Sequence, residues 1–87
     1  MWLKPTGRPP SQLPSGGWAM HMLSQNSPVV VKVTEEALQE VGPASALSPS
    51  IYKYRDALEE IADRKFMRQE FEPDGTITIK SADVRFA

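Results

Sequence analysis

Residues 48–65 read SPSIYKYRDALEEIADRK, and the spacing of their apolar side chains sets the expected architecture of the whole chain. On a 3.6-residue turn, Ile51, Tyr54, Ala57, Leu58, Ile61 and Ala62 share one face, while Lys53, Asp56, Glu59, Glu60, Asp63 and Arg64 share the other. That pattern predicts an amphipathic helix with one side meant for a core. Ser48 is placed to cap the first free N–H groups, and Pro49 to take the first helical position, where a missing N–H costs nothing. Continuing the wheel puts Lys65 in the middle of the apolar face, so the helix is expected to end there unless that side chain snorkels out.

Toward the N-terminus, Val29–Val33 (VVVKV) is β-branched around Lys32 and predicts a strand buried on at least one face, with Pro28 at its start. Thr34 then reads as the N-cap of a short helix over Thr34–Val41, with Glu35 and Glu36 in the dipole-favoured first turn and Gly42-Pro43 as the stop. Trp18–Leu23 (WAMHML) reads as a short strand joined to VVVKV through residues 24–28. Residues 1–17 hold Pro5, Pro9, Pro10, Pro14, Gly7, Gly16 and Gly17, a composition expected to form a disordered tail outside a single domain spanning 18–87. Prolines four apart do not fit a polyproline ligand, whose period is three. Met20 and Met22 raise the alternative that translation starts later, so that this segment is not part of the native protein.

Toward the C-terminus the period changes from 3.6 to 2. Glu72-Pro73-Asp74-Gly75-Thr76 is a turn by its residue types, and it predicts a hairpin in which Phe71 faces Ile77, Gln69 faces Ile79 and Arg68 faces Lys80. Met67, Phe71, Ile77 and Ile79 would then pack on the main helix, with Val84 and Phe86 extending or following the last strand. The competing reading carries the helix on through Glu70.

Eighty-seven residues make one thin domain, and the chain has no cysteine, so disulfides and thiolate metal sites are both excluded. A core of that size makes self-association or a protein partner an expectation, and the lack of cysteine fits a reducing, cytoplasmic setting. Of ten basic side chains only Lys4 and Arg8 precede residue 29, whereas all eleven acids follow it. The folded part is thus acidic, which disfavours a general phosphate-backbone binder. No apolar run approaches the roughly 20 residues that span a bilayer, so no membrane partner is expected.

Four features of the sequence could carry chemistry. His21, the single histidine, lies between Met20 and Met22 with no recognisable base or ligand partner, and no serine has a histidine expected beside it. Asp56 with Glu60, and Glu59 with Asp63, are four apart and could in principle hold a hard cation, but interleaved Lys53, Arg55 and Arg64 favour a solvated, ion-paired face. The glycines form no phosphate loop. What remains is a basic cluster, Arg64, Lys65 and Arg68 with Lys80 and Arg85, interleaved by Phe66; it is the candidate binding patch, weighed against simple complementation of a helix C-terminus. No catalytic residue, cofactor or metal is expected, and the chain reads as a non-enzymatic interaction module, with weak nucleic-acid binding through the basic cluster as the alternative.

From Val29 onward the chain, with VVVKVTEEALQEVG, IYKYRDALEEIADRKF and EPDGTITIKSADV, resembles a family of short proteobacterial proteins known only as a domain of unknown function, number fourteen eighty-eight. The resemblance lies in a strand running into a T/S-x-E-A-L helix, an R-x-x-(L/I)-E-x-I-A helix carried by Arg55, Leu58, Glu59, Ile61 and Ala62, and a closing D-G-T-(I/V) turn. It departs at the front, where the family has a strand hairpin and this chain has its proline-rich segment. The resemblance implies a fold but no substrate, cofactor or catalytic residue. The expected fold is α+β, in the order (β)-β-α-α-β-β, with an antiparallel sheet covered on one face by the long helix.

Overall fold

A computed structural model describes residues 3–14, 16–42 and 50–85. The chain is a small α+β domain in which helices cover one face of a mixed five-stranded sheet. Its centre is an antiparallel hairpin of β3 (Trp18–Ser24) and β4 (Ser27–Val33), in full register from Trp18 opposite Val33 to Ser24 opposite Ser27. The two connecting residues, Gln25 and Asn26, both take positive φ (50° and 70°), the twist that a two-residue hairpin needs. Alternation then decides the faces: Met20, Met22, Val31 and Val33 point into the core, while His21, Leu23, Val30 and Lys32 are half-buried on the other side.

Residues 3–12 lie along this sheet. β1 (Lys4–Pro5) and β2 (Ser11–Gln12) both pair with the free edge of β3, Lys4 opposite Leu23 and Ser11 opposite Ala19. The expectation placed residues 1–17 outside the domain as a disordered tail; in the structure Leu3 is wholly buried and its N–H donates to Asp63 Oδ1 at 2.8 Å. A proline-rich composition weakens pairing, but one leucine in the core and four paired positions on a long neighbour suffice to lay the segment down.

Thr34 caps α1 (Glu35–Val41) as expected, its Oγ1 accepting from Ala37 N–H at 3.1 Å. The main helix comes in two pieces, α2 (Ser50–Lys53) and α3 (Arg55–Met67), separated at Tyr54 (φ −111°, ψ 24°). Ser48 and Pro49 lie outside the described residues. The Tyr54 ring fills the space beside Gly42, where an added Cβ would come within 2.4 Å of it. The interruption shifts the phase of the wheel: Ile51, Leu58, Ile61 and Ala62 are buried as expected, Ala57 is exposed, and Glu59, assigned to the polar face, is 7% exposed and faces Arg55 at 3.5 Å.

The helix also passes Lys65 and ends at Met67. Arg68 N–H donates to Arg64 C=O, Gln69 N–H to Phe66 C=O and Glu70 N–H to Lys65 C=O, a Schellman closure with Gln69 at φ 58° where glycine is usual. The expected closing hairpin is therefore corrected. Its turn forms, with Glu72 N–H donating to Thr76 C=O at 2.7 Å, but the residues before the turn are not a strand, and Phe71–Ile77, Gln69–Ile79 and Arg68–Lys80 do not pair. β5 (Ile77–Ile79) instead runs parallel to β4, Val31 opposite Ile77 and Val33 opposite Ile79, so the sheet is mixed rather than antiparallel. Two β-branched segments gain more apolar contact from each other than either would from Arg68, Gln69 and Glu70. Val84 belongs to a last short helix, α4 (Ser81–Arg85), not to a strand; Phe86 lies outside the described residues.

Candidate functional site

The five cations of the expected patch are placed by the end of α3, by β5 and by α4, and most of them are engaged with acids. Lys65 is 13% exposed; its ammonium sits 2.9 Å from Asp83 and 3.7 Å from Glu70. It stays in the buried arc because α4 brings an acid to it. Asp83 also accepts the Lys80 N–H at 2.8 Å, closing the first turn of α4. Partial burial raises the Asp83 pKa, but the Lys80 N–H and the Lys65 ammonium outweigh it and leave the group below the ordinary aspartate value. Arg85 reaches across to Glu40 on α1 at 3.3 Å, and Arg68 lies 3.9 Å from Glu70. Arg64 and the Lys80 side chain are exposed. Lys65 and the Lys80 backbone meet at Asp83 and Arg68 shares Glu70 with Lys65, whereas Arg85 turns to α1; the acids Glu40, Glu70 and Asp83 accompany these cations, and the field is dipolar rather than positive.

Between these charges lies a surface that sequence reasoning missed. Phe66, Met67, Gln69 and Phe71 line an open apolar hollow of about 380 Å³. Met67 is 56% exposed and Phe71 43%, although both were expected in the core; the Phe66 and Phe71 rings meet edge-to-face at 5.5 Å. The failed hairpin is the cause: with residues 68–72 a loop, Met67 at the end of α3 and Phe71 within the loop have no sheet partner and stay at the surface. Arg68 and Glu70 stand beside this hollow, one of each sign.

His21 is better placed than the sequence suggested. Its Nε2 lies 3.2 Å from Ser11 Oγ, and its C=O accepts from Thr6 Oγ1 at 2.8 Å. The serine–histidine pair was invisible in the sequence because only β2 pairing beside β3 creates it. The contact is solvent-exposed, and the register sets Val30 opposite His21, so neither a low-dielectric pocket nor an acid across the strand pair activates it.

Among the helix carboxylates, Glu59 is held by Arg55, and Asp63 accepts the Leu3 N–H. Among the described residues no group of three or more His, Cys, Asp or Glu could hold a metal ion, and no helix is long and apolar enough to cross a membrane. At the tip of the 72–76 turn, hydrogen bonds from the Thr76 hydroxyl (2.6 Å) and N–H (3.0 Å) hold the pKa of the exposed Asp74 carboxyl down to about 2. Lys32 faces it at 3.4 Å, tying the turn to β4.

No family model matches this sequence, and no curated protein or solved structure matches it at a significant level. The family resemblance accordingly rests on its quoted motifs alone.

Proposed function

We propose that the chain is a small non-enzymatic protein-interaction module whose docking surface is the hollow formed by Phe66, Met67, Gln69 and Phe71. The observation that carries this reading is the exposure of Met67 and Phe71 beside a half-buried Phe66, all in one place on an otherwise charged helix end. Contiguous exposed apolar surface is costly to leave in water, and Met, Phe and Arg are enriched at the centres of protein interfaces. Methionine adds adaptability, since its flexible thioether fits differently shaped partners. The occupant that suits the hollow is one apolar side chain flanked by charges of both signs, to meet Arg68 and Glu70. A second copy of this chain carries that chemistry itself, and a two-fold pairing would set Arg68 of each against Glu70 of the other.

The engagement of Lys65 by Asp83, and of Arg85 by Glu40, gives the phosphate-binding alternative little support. Light scattering over a micromolar concentration series, below the range in which the N-terminal segment exchanges between copies, should show reversible dimers, and Met67→Glu should abolish them while leaving the fold intact by circular dichroism. A wild type that stays monomeric, and captures nothing through a photo-crosslinking residue at position 67 in the cell, would remove the proposal. Binding to labelled DNA or RNA that weakens as salt rises would replace it with the phosphate reading.

A further inference from the structure

The edge of β3 is occupied by a segment tied to the rest of the molecule at few points. Residues 3–12 contribute two strands of two residues each, and Lys4, Pro5, Ser11 and Gln12 are all exposed. Between them the chain leaves the ladder, and the Thr6 hydroxyl takes over the His21 carbonyl. Apart from these pairings, the anchors are Leu3 in the core, its N–H on Asp63, a buried Pro10, and Ser11 on His21. The segment turns back onto β3 through a tight hinge, in which Leu13 N–H donates to Gly17 C=O at 3.0 Å and Gly16 N–H to Leu13 C=O at 3.1 Å. Gly16 and Gly17 both sit at positive φ (88° and 86°), and a Cβ on Gly17 would lie 2.5 Å from the Val33 carbonyl oxygen. The fold-back thus requires two consecutive glycines in a conformation other residues avoid, with Pro14 stiffening the turn.

We propose that residues 3–12 are an exchangeable arm, and that a second copy of this chain is the partner whose arm occupies the same edge of β3. The occupant is specified by the molecule itself: the register Lys4 opposite Leu23 and Ser11 opposite Ala19, and the pocket that takes Leu3, are already matched. In the exchanged pair every one of these contacts is remade between chains, so the two forms differ only in the hinge and in the entropy of association. Opening the hinge frees the backbone of Gly16 and Gly17, which loses more conformational entropy in a fixed turn than that of any other residue. Opposing this, an arm on a short tether has an effective concentration of about millimolar at its own edge, so exchange grows in as the chain approaches that concentration. The proposal rests on a different surface from the Met67 hollow and does not depend on it.

The absence of cysteine makes the test direct. Lys4→Cys and Leu23→Cys, which face one another in register, are prepared as separate full-length chains, mixed at near-millimolar concentration, unfolded, refolded together and oxidised mildly. Exchange predicts a disulfide-linked heterodimer in the mixture, several-fold above the dimer that either variant forms alone. The double variant on one chain should close internally in dilute solution. Inserting four flexible residues after Gly16 relaxes the hinge and should lower the heterodimer several-fold, whereas Met67→Glu should leave it unchanged. Failure of the mixture to cross-link while the double variant closes internally would overturn the exchange, as would a yield indifferent to the hinge insertion. Loss of cross-linking in Met67→Glu alone would likewise overturn it and assign the dimer to the hollow.

Discussion

Replacing Asp83 with alanine removes two interactions at once, and their sizes follow from the geometry. The carboxylate is 2.9 Å from a Lys65 ammonium that is only 13% exposed, and it accepts the Lys80 N–H at 2.8 Å. Exposed ion pairs contribute about 0.2–1 kcal/mol, while stripping the partner from a fully buried charge costs about 3–5 kcal/mol. Lys65 lies between these limits and keeps Glu70 at 3.7 Å, which places the ionic part at about 1–2 kcal/mol. Losing the acceptor at the start of α4 adds about 1 kcal/mol. Asp83→Ala should therefore lower the unfolding free energy by about 2–3 kcal/mol, a substantial share of the total for a domain this small. Urea unfolding measures it directly. In a Lys65→Met background the same substitution should cost only the cap, about 1 kcal/mol, because no buried ammonium is left without its partner. Equal costs in the two backgrounds would refute the argument, and would mean that Lys65 is solvated and available to an outside anion after all.

Acid should destabilise the protein through the same aspartates. Asp74 and Asp83 both have depressed values, so the stability they lend is complete above their unfolded value of 3.8 and is lost as pH falls through the folded ones, for Asp74 down to about 2; a carboxyl resonance of Asp74 titrating at an ordinary aspartate value would contradict this. Gln69→Gly should raise stability by about 0.5–1 kcal/mol in the same urea assay, since Gln69 holds φ 58° in the Schellman closure, and a loss of stability would show that its side chain makes contacts worth more than the strain. Leu3→Ala should cost about 2–5 kcal/mol if the arm is part of the fold, and a change within about 0.5 kcal/mol would return residues 1–17 to the status of a tail.

What the sequence disclosed was local. The Thr34 cap, the VVVKV strand, the 72–76 turn and the buried arc of Ile51, Leu58, Ile61 and Ala62 all depend on neighbours within one or two turns of chain, and all are found. The partner of Ile77–Ile79 was not legible, because a parallel crossover and a hairpin impose the same period on the strand. Leu3 was hidden by composition: the seven prolines and glycines of residues 1–17 mask a leucine whose burial is decided by Asp63 and β3. Lys65 illustrates both sides. Its place on the apolar face was read correctly, but the acid that tolerates it there comes from α4, eighteen positions further along. The hollow at Met67 is the residue of the hairpin error, since apolar alternation marks burial only where a second strand arrives to cover it.

The parallel seating of β5 on β4 also fixes an order of events during synthesis. The β3–β4 hairpin can close as soon as it clears the ribosome, but the strip of Val31–Val33 that receives β5 stays bare until residues 77–79 are made. At about 5–20 residues per second the nascent chain thus spends seconds with a valine-rich flank uncovered. Residues 3–12 lie on the opposite flank, along β3, and leave this strip bare, so during that interval the valine edge of β4 is where a nascent chain is most prone to stick to a neighbour on the same message.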